Sequence, residues 1–232
     1  NPMCRKPVVR IRNNGSEVLT SCDFTFSVVG GVSQTYTWTG ELAFLESADV
    51  ELSYSDPTIY QGEEEGEILT FEVTVDNPNG QTDQQPTNNY STSQFVRPPV
   101  YTYMQNEGDE DDNRLIFWLT TNNTYWETSW SLYDWNGNTV FERDDFSAAG
   151  ATYRDTLELN QGCYTFHLKD SDHDGLSFFA NNDGNGSFRL KEVGGPLFTT
   201  FENDFGKEIK HSFFWRTDLV GIEGEATVAK PE

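Results

Sequence analysis

The fold class follows most directly from the stretch CYTFHLK at Cys163–Lys169. Tyr164, Phe166 and Leu168 recur there at every second position, which is the period of a β-strand that directs one face into a core. The stretch FEVTV at Phe71–Val75 repeats this alternation in the first half of the chain. Both stretches predict strands, and the aromatic share of 14% suits pleated, half-buried sheets better than helices.

Further segments rich in β-branched and aromatic residues lie on either side of these two, and clusters of Gly, Pro, Asn and Asp separate them. The segments predicted as strands before residue 98 are Pro7–Arg12, Val18–Val29, Ser33–Trp38, Asp49–Tyr54, Ile68–Val75 and Tyr90–Val96. Those predicted after it are Leu115–Thr120, Trp126–Leu132, Cys163–Lys169, Gly186–Val193, Leu197–Phe201 and Ile209–Trp215. No segment predicts a helix, and the spacing of the turns predicts β-sandwiches.

Pro98 and Pro99 interrupt the strand pattern, because consecutive prolines cannot join a central strand and they stiffen a connector. We therefore expect an all-β chain of two tandem β-sandwich domains, residues 1–97 and residues 98–217. Alternation and aromatic residues stop after residue 217, so residues 218–232 are predicted to be a linker that leads out of the second domain. The chain begins with Asn1 rather than Met, which leads us to expect a fragment of a longer protein.

The chain carries 38 acidic and 15 basic side chains, which gives a net charge of −23. Such a surface repels phosphate backbones and anionic lipid, so we expect no nucleic-acid partner and no docking on lipid. No run of 18 apolar residues is present, which predicts no membrane insertion. The same charge favours divalent cations, since clustered carboxylates repel one another until a cation neutralises them.

A candidate calcium loop follows Lys169 directly, with the sequence DSDHDG at Asp170–Gly175. Three carboxylates at alternate positions supply the oxygen ligands that Ca²⁺ prefers, and the glycine permits a sharp bend. An EF-hand would place a glutamate at position 12, where this chain has Asn181, and the flanking segments are predicted strands, so the loop is not an EF-hand. The expected Ca²⁺ ligands are the side chains of Asp170, Asp172, Asp174, Asn181 and Asp183 and the carbonyl of Leu176.

Three cysteines, Cys4, Cys22 and Cys163, occur without a C-x-x-C pair, so zinc or thioredoxin-like chemistry is not expected. A hairpin of Val8–Arg12 with the strand that follows the turn Asn13–Ser16 would bring Cys4 and Cys22 together. We therefore expect a Cys4–Cys22 disulfide, which secretion would permit and which leaves Cys163 unpaired.

Aromatic residues crowd one predicted hairpin of the second domain. Trp126, Trp130 and Leu132 fall on one face, where core packing is expected. Tyr125 and Tyr133 fall on the opposite face, where exposed rings are candidates for sugar binding. No H-E-x-x-H, G-x-S-x-G or P-loop motif is present, and no histidine has a visible catalytic partner, so we expect no enzyme.

Short motifs in the first half carry a family resemblance: PVVRI at Pro7–Ile11, WTG at Trp38–Gly40, and DNPNG at Asp76–Gly80 followed by Asp83–Asn89. With Asn14-Gly15, they resemble the cell-adhesion-related bacterial domain family and similar immunoglobulin-like modules. The resemblance implies an immunoglobulin-like sandwich that acts as a spacer or adhesion module.

The second half shows WSLYDWNGN at Trp130–Asn138, GCYTF at Gly162–Phe166 before the Asp170–Gly175 loop, and GSF at Gly186–Phe188. These stretches resemble a calcium-binding β-sandwich module that recurs near the C-termini of secreted Bacteroidota proteins, including peptidases. The resemblance implies a jelly-roll-like domain of type IX secretion cargo. Val220–Glu223 is similar to the approach to a type IX sorting domain, so residues 218–232 are expected to lead toward such a domain, which is absent from this chain.

These expectations converge on a non-catalytic structural or adhesive module of a secreted or cell-surface protein, stabilised by Ca²⁺. Its expected partners are other domains of a larger protein and extracellular proteins or glycans. Three alternatives stay open: a carbohydrate-binding module that uses Tyr125 or Tyr133, an ancillary region of a secreted peptidase, and a subunit of an extracellular filament.

Overall fold

A computed structural model describes residues 4–53, 66–102 and 114–217. Within these ranges the chain is all-β, as predicted: it forms fifteen strands, no α-helix, and three one-turn 3₁₀ segments at Pro78–Gly80, Pro86–Asn88 and Tyr125–Glu127. No helix in the described part of the chain is long and apolar enough to cross a membrane. The predicted linker 218–232 lies outside the described residues.

Six strands precede residue 97, and among the described residues they pair only with one another. They are β1 (Val8–Arg12), β2 (Leu19–Val28), β3 (Gln34–Leu42), β4 (Ser47–Glu51), β5 (Ile68–Asp76) and β6 (Tyr90–Val96). One antiparallel sheet has the order β3-β2-β5-β6, and β1 and β4 form a second sheet of two strands. Because alternate residues of a strand share a face, β2 directs Cys22, Phe24 and Phe26 into a core.

Nine strands follow, and they form two further sheets. They are β7 (Val100–Thr102), β8 (Arg114–Thr120), β9 (Thr128–Asp134), β10 (Thr139–Arg143), β11 (Thr152–Glu158), β12 (Gly162–Asp170), β13 (Ser187–Glu192), β14 (Leu197–Thr200) and β15 (Glu208–Arg216). The sheet orders are β10-β9-β12-β15-β7 and β11-β8-β13-β14. The β15–β7 pairing is parallel and the other described pairings of these sheets are antiparallel.

A core of stacked aromatic rings lies between these two later sheets. Trp130 and Phe166 come from the five-stranded sheet, and Phe117 and Phe188 come from the four-stranded sheet. The ring centroids of Phe117 and Trp130 are 4.6 Å apart, as are those of Phe166 and Phe188, and both pairs are stacked. Each such pair contributes about 0.5–1.5 kcal/mol beyond the burial of its area, so these rings hold the two sheets face to face.

The earlier and later sheets share a second apolar region. The cluster that contains Phe24 and Phe26 also contains Cys163 of β12 and Phe214 of β15. Strand pairing passes from the earlier to the later sheets at residues 97–99. The backbone carbonyl of Pro99 accepts a hydrogen bond from the Phe214 N–H at 2.8 Å. The change of sheets therefore takes place at a buried contact.

The predicted Cys4–Cys22 disulfide is wrong: Cys4 is bonded to Cys163, with Cα atoms 5.1 Å apart, and Cys22 is a free, buried cysteine. The reason lies in strand pairing. The predicted hairpin would pair β1 with β2, whereas β1 pairs with β4, and Val9 lies opposite Val50. The N-terminal segment thereby reaches the start of β12, and the disulfide joins the earlier sheets to the later ones.

The sequence pattern did not predict three of the strands, β7, β10 and β11. All three lie at sheet edges. An edge strand needs little apolar surface, so its sequence alternates weakly: β10 has no fully buried residue, and Asp155 is the one fully buried residue of β11. Periodicity therefore identifies the central strands better than the edges.

Removal of the disulfide by the double substitution Cys4→Ser and Cys163→Ser should lower the free energy of unfolding by about 2–5 kcal/mol, because it releases a very long closed loop in the unfolded chain. Urea unfolding monitored by tryptophan fluorescence measures this loss.

Thiol titration of the unsubstituted protein tests the disulfide pairing. Cys22 is the one unpaired cysteine of the proposed pairing, so one thiol should react in guanidinium without reductant. Burial raises the pKa of the Cys22 thiol to about 11 in the folded protein, so no thiol should react there. Three reactive thiols in guanidinium would contradict the pairing.

Acid should destabilise the protein through His211. Its Nε2 lies 2.8 Å from the Tyr101 hydroxyl, and burial lowers the pKa of His211 to about 4 from an ordinary 6.5. A histidine with a depressed pKa in the folded state stabilises fully above pH 6.5, and its contribution is lost as the pH falls toward 4. His211→Gln, which does not titrate, should remove on the order of 3 kcal/mol of pH dependence between these values. Urea midpoints measured across this range for both proteins test it, and parallel curves would disprove it.

Candidate metal centre

The loop after β12 is bent by one buried carboxylate. Asp170 is the last residue of β12 and is 2% exposed. Its Oδ1 accepts the backbone N–H groups of Asp172 at 3.0 Å and His173 at 2.7 Å. These two hydrogen bonds turn the chain directly beyond the strand, which brings the later loop residues back toward Asp170.

A glycine is required where this loop meets the segment before β15. Gly175 has a φ of +77°, and a Cβ at this position would lie 2.5 Å from the Asn203 carbonyl oxygen and 2.8 Å from the Phe205 nitrogen. The neighbouring Leu176 N–H donates to the same Asn203 carbonyl at 2.7 Å. The backbone of residues 203–205 therefore lies directly against the loop.

Three carboxyl groups converge at this loop. Glu127, Asp170 and Asp174 each offer a carboxylate oxygen, and these oxygens all lie within 4.8 Å of one another. Glu127 belongs to the 3₁₀ segment just before β9, and its carbonyl accepts the Ser171 N–H at 3.0 Å. Pairing of β9 with β12 sets Thr128 opposite Asp170, and this register brings Glu127 to the loop.

Several oxygens at this site have no hydrogen-bond donor among the described residues. They are Asp170 Oδ2, Asp174 Oδ1 and Glu127 Oε2, together with the side-chain oxygen of the adjoining Asn203. All four atoms are buried. A buried acceptor left unpaired costs about 1–3 kcal/mol, and more when it is charged, so a group of them is unfavourable without a cation.

The charge state of Asp170 reflects the same crowding. The pKa of Asp170 is raised to about 6, chiefly by burial and also by the nearby carboxylates of Asp174 and Glu127, while hydrogen bonds from the backbone N–H groups of His173 and Asp174 act to lower it. Burial and like charges both disfavour the ionised form. A bound cation would reverse this balance, because it favours the carboxylate over the neutral acid.

Of the six predicted ligands, Asp170 and Asp174 belong to this acidic group. Asp172 is exposed and lies outside the group. The Leu176 carbonyl already accepts the Gly186 N–H at 2.6 Å.

The remaining two predicted ligands, Asn181 and Asp183, make contacts of another kind. Asn181 donates its side-chain amide to Asp174 Oδ2, so it supports one of the three carboxylates through a hydrogen bond. Asp183 donates its backbone N–H to Asn181 Oδ1 at 3.2 Å, and its carbonyl accepts the Asn123 N–H at 2.7 Å. These contacts shape the loop beside the group of three carboxylates.

Sequence reasoning missed Glu127. The pattern predicts a strand over Trp126–Leu132, and the expected ligands all lie between Asp170 and Asp183. An acidic residue one position before the strand that pairs with β12 was the available signal, but it becomes visible only once β9 is placed beside β12.

The aromatic faces near the site differ from prediction. Trp126, expected in the core, is 64% exposed, because residues 125–127 form a 3₁₀ turn in which strand alternation does not hold. Tyr125 and Tyr133 were both predicted to be exposed candidates for sugar binding. Tyr125 packs against the aromatic core, and Tyr133 is half-buried on β9. Phe179, in the loop after Asp174, is 91% exposed.

The chemistry of the group is that of a hard-cation site. Its donors are carboxylate oxygens without histidine or cysteine, which suits Ca²⁺ or Mg²⁺ better than zinc or copper.

No protein-family model matches this chain, and no curated protein matches it.

Substitution of Gly175 tests how closely the loop packs against residues 203–205. Gly175→Ala should destabilise the protein by about 2–4 kcal/mol, because a Cβ adds overpacking to the cost of a positive φ. Gly137→Ala is the matched control, since Gly137 has a φ of +85° with open space around its Cβ position. Melting temperatures of the two variants should differ clearly, and equal losses would show that residues 203–205 do not press on the loop.

Proposed function

We propose that this chain is a calcium-stabilised, non-catalytic structural or adhesive module of a secreted or cell-surface protein. The observation that carries the proposal is the convergence of three carboxyl groups whose buried oxygens lack donors, at Glu127, Asp170 and Asp174. A Ca²⁺ ion supplies the positive charge that these oxygens lack. The ion is structural here, because it neutralises buried charge and fixes a loop.

The proposed coordination shell begins with these three carboxylates. Asn203 is a candidate for a further protein ligand, since its buried Oδ1 has no donor among the described residues and its backbone adjoins the loop. Water completes the six to eight oxygens that Ca²⁺ takes. Flexible coordination favours Ca²⁺ over Mg²⁺, which demands near-octahedral geometry and holds its own waters tightly.

Such an ion would join segments that are distant in sequence. Glu127 precedes β9, Asp170 ends β12 and Asp174 lies in the loop beyond it. Residues 203–205 follow β14 and lead into β15. One ion would therefore fix the connections at one end of the five-stranded sheet, which suits a module that keeps its shape outside the cell.

The disulfide supports an oxidising compartment. Disulfides persist in secreted and surface proteins and are rare in the cytosol, where thiols stay reduced. The Cys4–Cys163 bond joins the earlier and later sheets, so it contributes to a structural role. A site of modest affinity also suits the extracellular space, where calcium modules have Kd values of about 10⁻⁴–10⁻³ M.

We further propose that residues 1–97 form an immunoglobulin-like β-sandwich and residues 98–217 a jelly-roll-like one. The pairing of β1–β6 only among themselves in the described part of the chain supports two units. A rigid pair of sandwiches would space or present a surface for other domains of a larger protein, or for extracellular proteins or glycans. Type IX secretion is the export route we propose for it.

Thermal unfolding with Ca²⁺ and with EDTA tests the metal site. A few millimolar Ca²⁺ should add about 1–2 kcal/mol at the proposed affinity. This raises the melting temperature by roughly 2–8 °C for a chain of this size. Identical melting curves in Ca²⁺ and EDTA would refute the proposal, and a larger response to Mg²⁺ than to Ca²⁺ would change the metal.

Matched variants identify the ligands. Glu127→Gln removes one carboxylate of the converging group, and it should abolish the Ca²⁺ response. Asp172→Asn removes an exposed carboxylate of the same loop, and it should preserve the response. The opposite ranking would favour the ligands expected from the loop sequence and exclude Glu127.

A further inference from the structure

Two arginines enclose one tryptophan on the outer face of the four-stranded sheet β11-β8-β13-β14. Arg154 of β11 and Arg189 of β13 both lie directly opposite Trp118 of β8 in the strand register. Their guanidinium carbons are 3.9 Å and 4.0 Å from the centroid of the tryptophan ring. Because β11 and β13 flank β8, the guanidinium groups approach the ring from opposite sides.

This arrangement holds the guanidinium groups in place while their charge remains uncompensated. Cation–π attraction to tryptophan restrains each side chain. Among the described residues, neither Arg154 nor Arg189 has a carboxylate within ion-pair distance or donates a hydrogen bond. A planar guanidinium group can donate two parallel N–H hydrogen bonds to one carboxylate.

Uncompensated cations side by side are unexpected in this chain. Acidic side chains outnumber basic ones by 38 to 15, so carboxylates are abundant as partners. Lys191 lies on the same face as the two arginines, and the one acidic residue among the outward positions of β8, β11 and β13 is Glu158, which lies opposite Arg114. The face is therefore a local positive surface on a strongly negative protein.

The charges on this face form a spaced array. Arg154 and Arg189 are two strands apart, which separates their Cα atoms by roughly 10 Å. Lys191 lies two residues beyond Arg189, roughly 7 Å along β13. Hydroxyl groups of Thr120, Thr152 and Ser187 form the adjoining row of the same face. A ligand that carries anionic groups at intervals along a polar chain would match such an array.

We propose that this face binds an anionic polysaccharide with carboxylate groups, such as a polymer of uronic acids. A protein partner fits less well, because protein interfaces depend on apolar anchors at their centre and Trp118 is already covered by the two arginines. Nucleic acid fits less well, because proteins that bind single strands stack the bases on exposed aromatic rings, and Trp118 is covered by the two arginines. The inference names a ligand class for the proposed adhesive role and uses a site separate from the calcium loop.

Binding of polygalacturonate by the whole chain tests this site, with its fully methyl-esterified form as the uncharged control. The experiment is isothermal titration at low salt in EDTA, well below the melting temperature, so that Ca²⁺ cannot bridge the polymer to the protein. Binding to polygalacturonate, and at least tenfold weaker binding to the ester, is expected. The same affinity for both polymers, or no binding to either, would overturn the proposal.

Single substitutions locate the binding face. Arg154→Gln and Arg189→Gln should each weaken polygalacturonate binding about tenfold or more, which is the loss of one charge-assisted hydrogen-bond pair. Arg12→Gln removes the same charge from β1 and should change the affinity less than twofold. Equal losses of affinity in all three variants would show that binding depends only on net charge, and they would overturn the proposed site. Circular dichroism verifies that each variant is folded.

Competing ligands separate this proposal from its alternatives and from the metal site. Tighter binding of single-stranded DNA or of polyglutamate than of polygalacturonate would assign the face to nucleic acid or to an acidic protein, and it would overturn the glycan. Glycan binding in EDTA together with melting that ignores Ca²⁺ would remove the calcium proposal and leave this one intact. Loss of binding in Arg154→Gln with an unchanged Ca²⁺ response supports the glycan site alone.

Discussion

Repulsion among Glu127, Asp170 and Asp174 is the constraint on which the later sheets depend. Their oxygens converge within 4.8 Å at the end of β12, where Asp170 is almost fully buried. Charged groups this close and this poorly solvated become neutral or acquire a counter-ion. The position cannot simply relax outward, because Asp170 also holds the turn through two backbone N–H groups. The electrostatics of one loop are therefore coupled to the ends of β9 and β12.

Strand β12 connects this loop to the rest of the molecule. It lies between β9 and β15 in the five-stranded sheet, and its inward rings join the aromatic core. Its far end carries Cys163, which is bonded to Cys4 and packed in the cluster shared with the earlier sheets. One strand thus takes part in the group of three carboxylates, the core and the covalent link, so a change at either end affects the packing of its neighbours.

Local sequence predicted what local physics determines. The alternation in Phe71–Val75 and Cys163–Lys169 identified central strands, because the pleat forces apolar residues onto one face. The proximity of Asp170 and Asp174 could be predicted, because a loop presents its own carboxylates together. Glu127 and the partner of Cys4 were missed, because both depend on which strands become neighbours. Pairing of β1 with β4 and of β9 with β12 depends on packing over the whole chain. Periodicity predicts where strands lie, but it does not predict which strands pair.

The Cys4–Cys163 bond also sets the path of mechanical force through the molecule. Tension applied between the N-terminus and the C-terminal end would enter at Cys4, cross the sulfur bridge and continue along β12 toward β15. The sheets formed by β1–β6 lie on the bypassed loop of the chain, so they bear no load while the bridge is intact. In a tethered protein under shear, resistance to unfolding would therefore reside in β12–β15, and the earlier sheets could keep a binding surface undeformed.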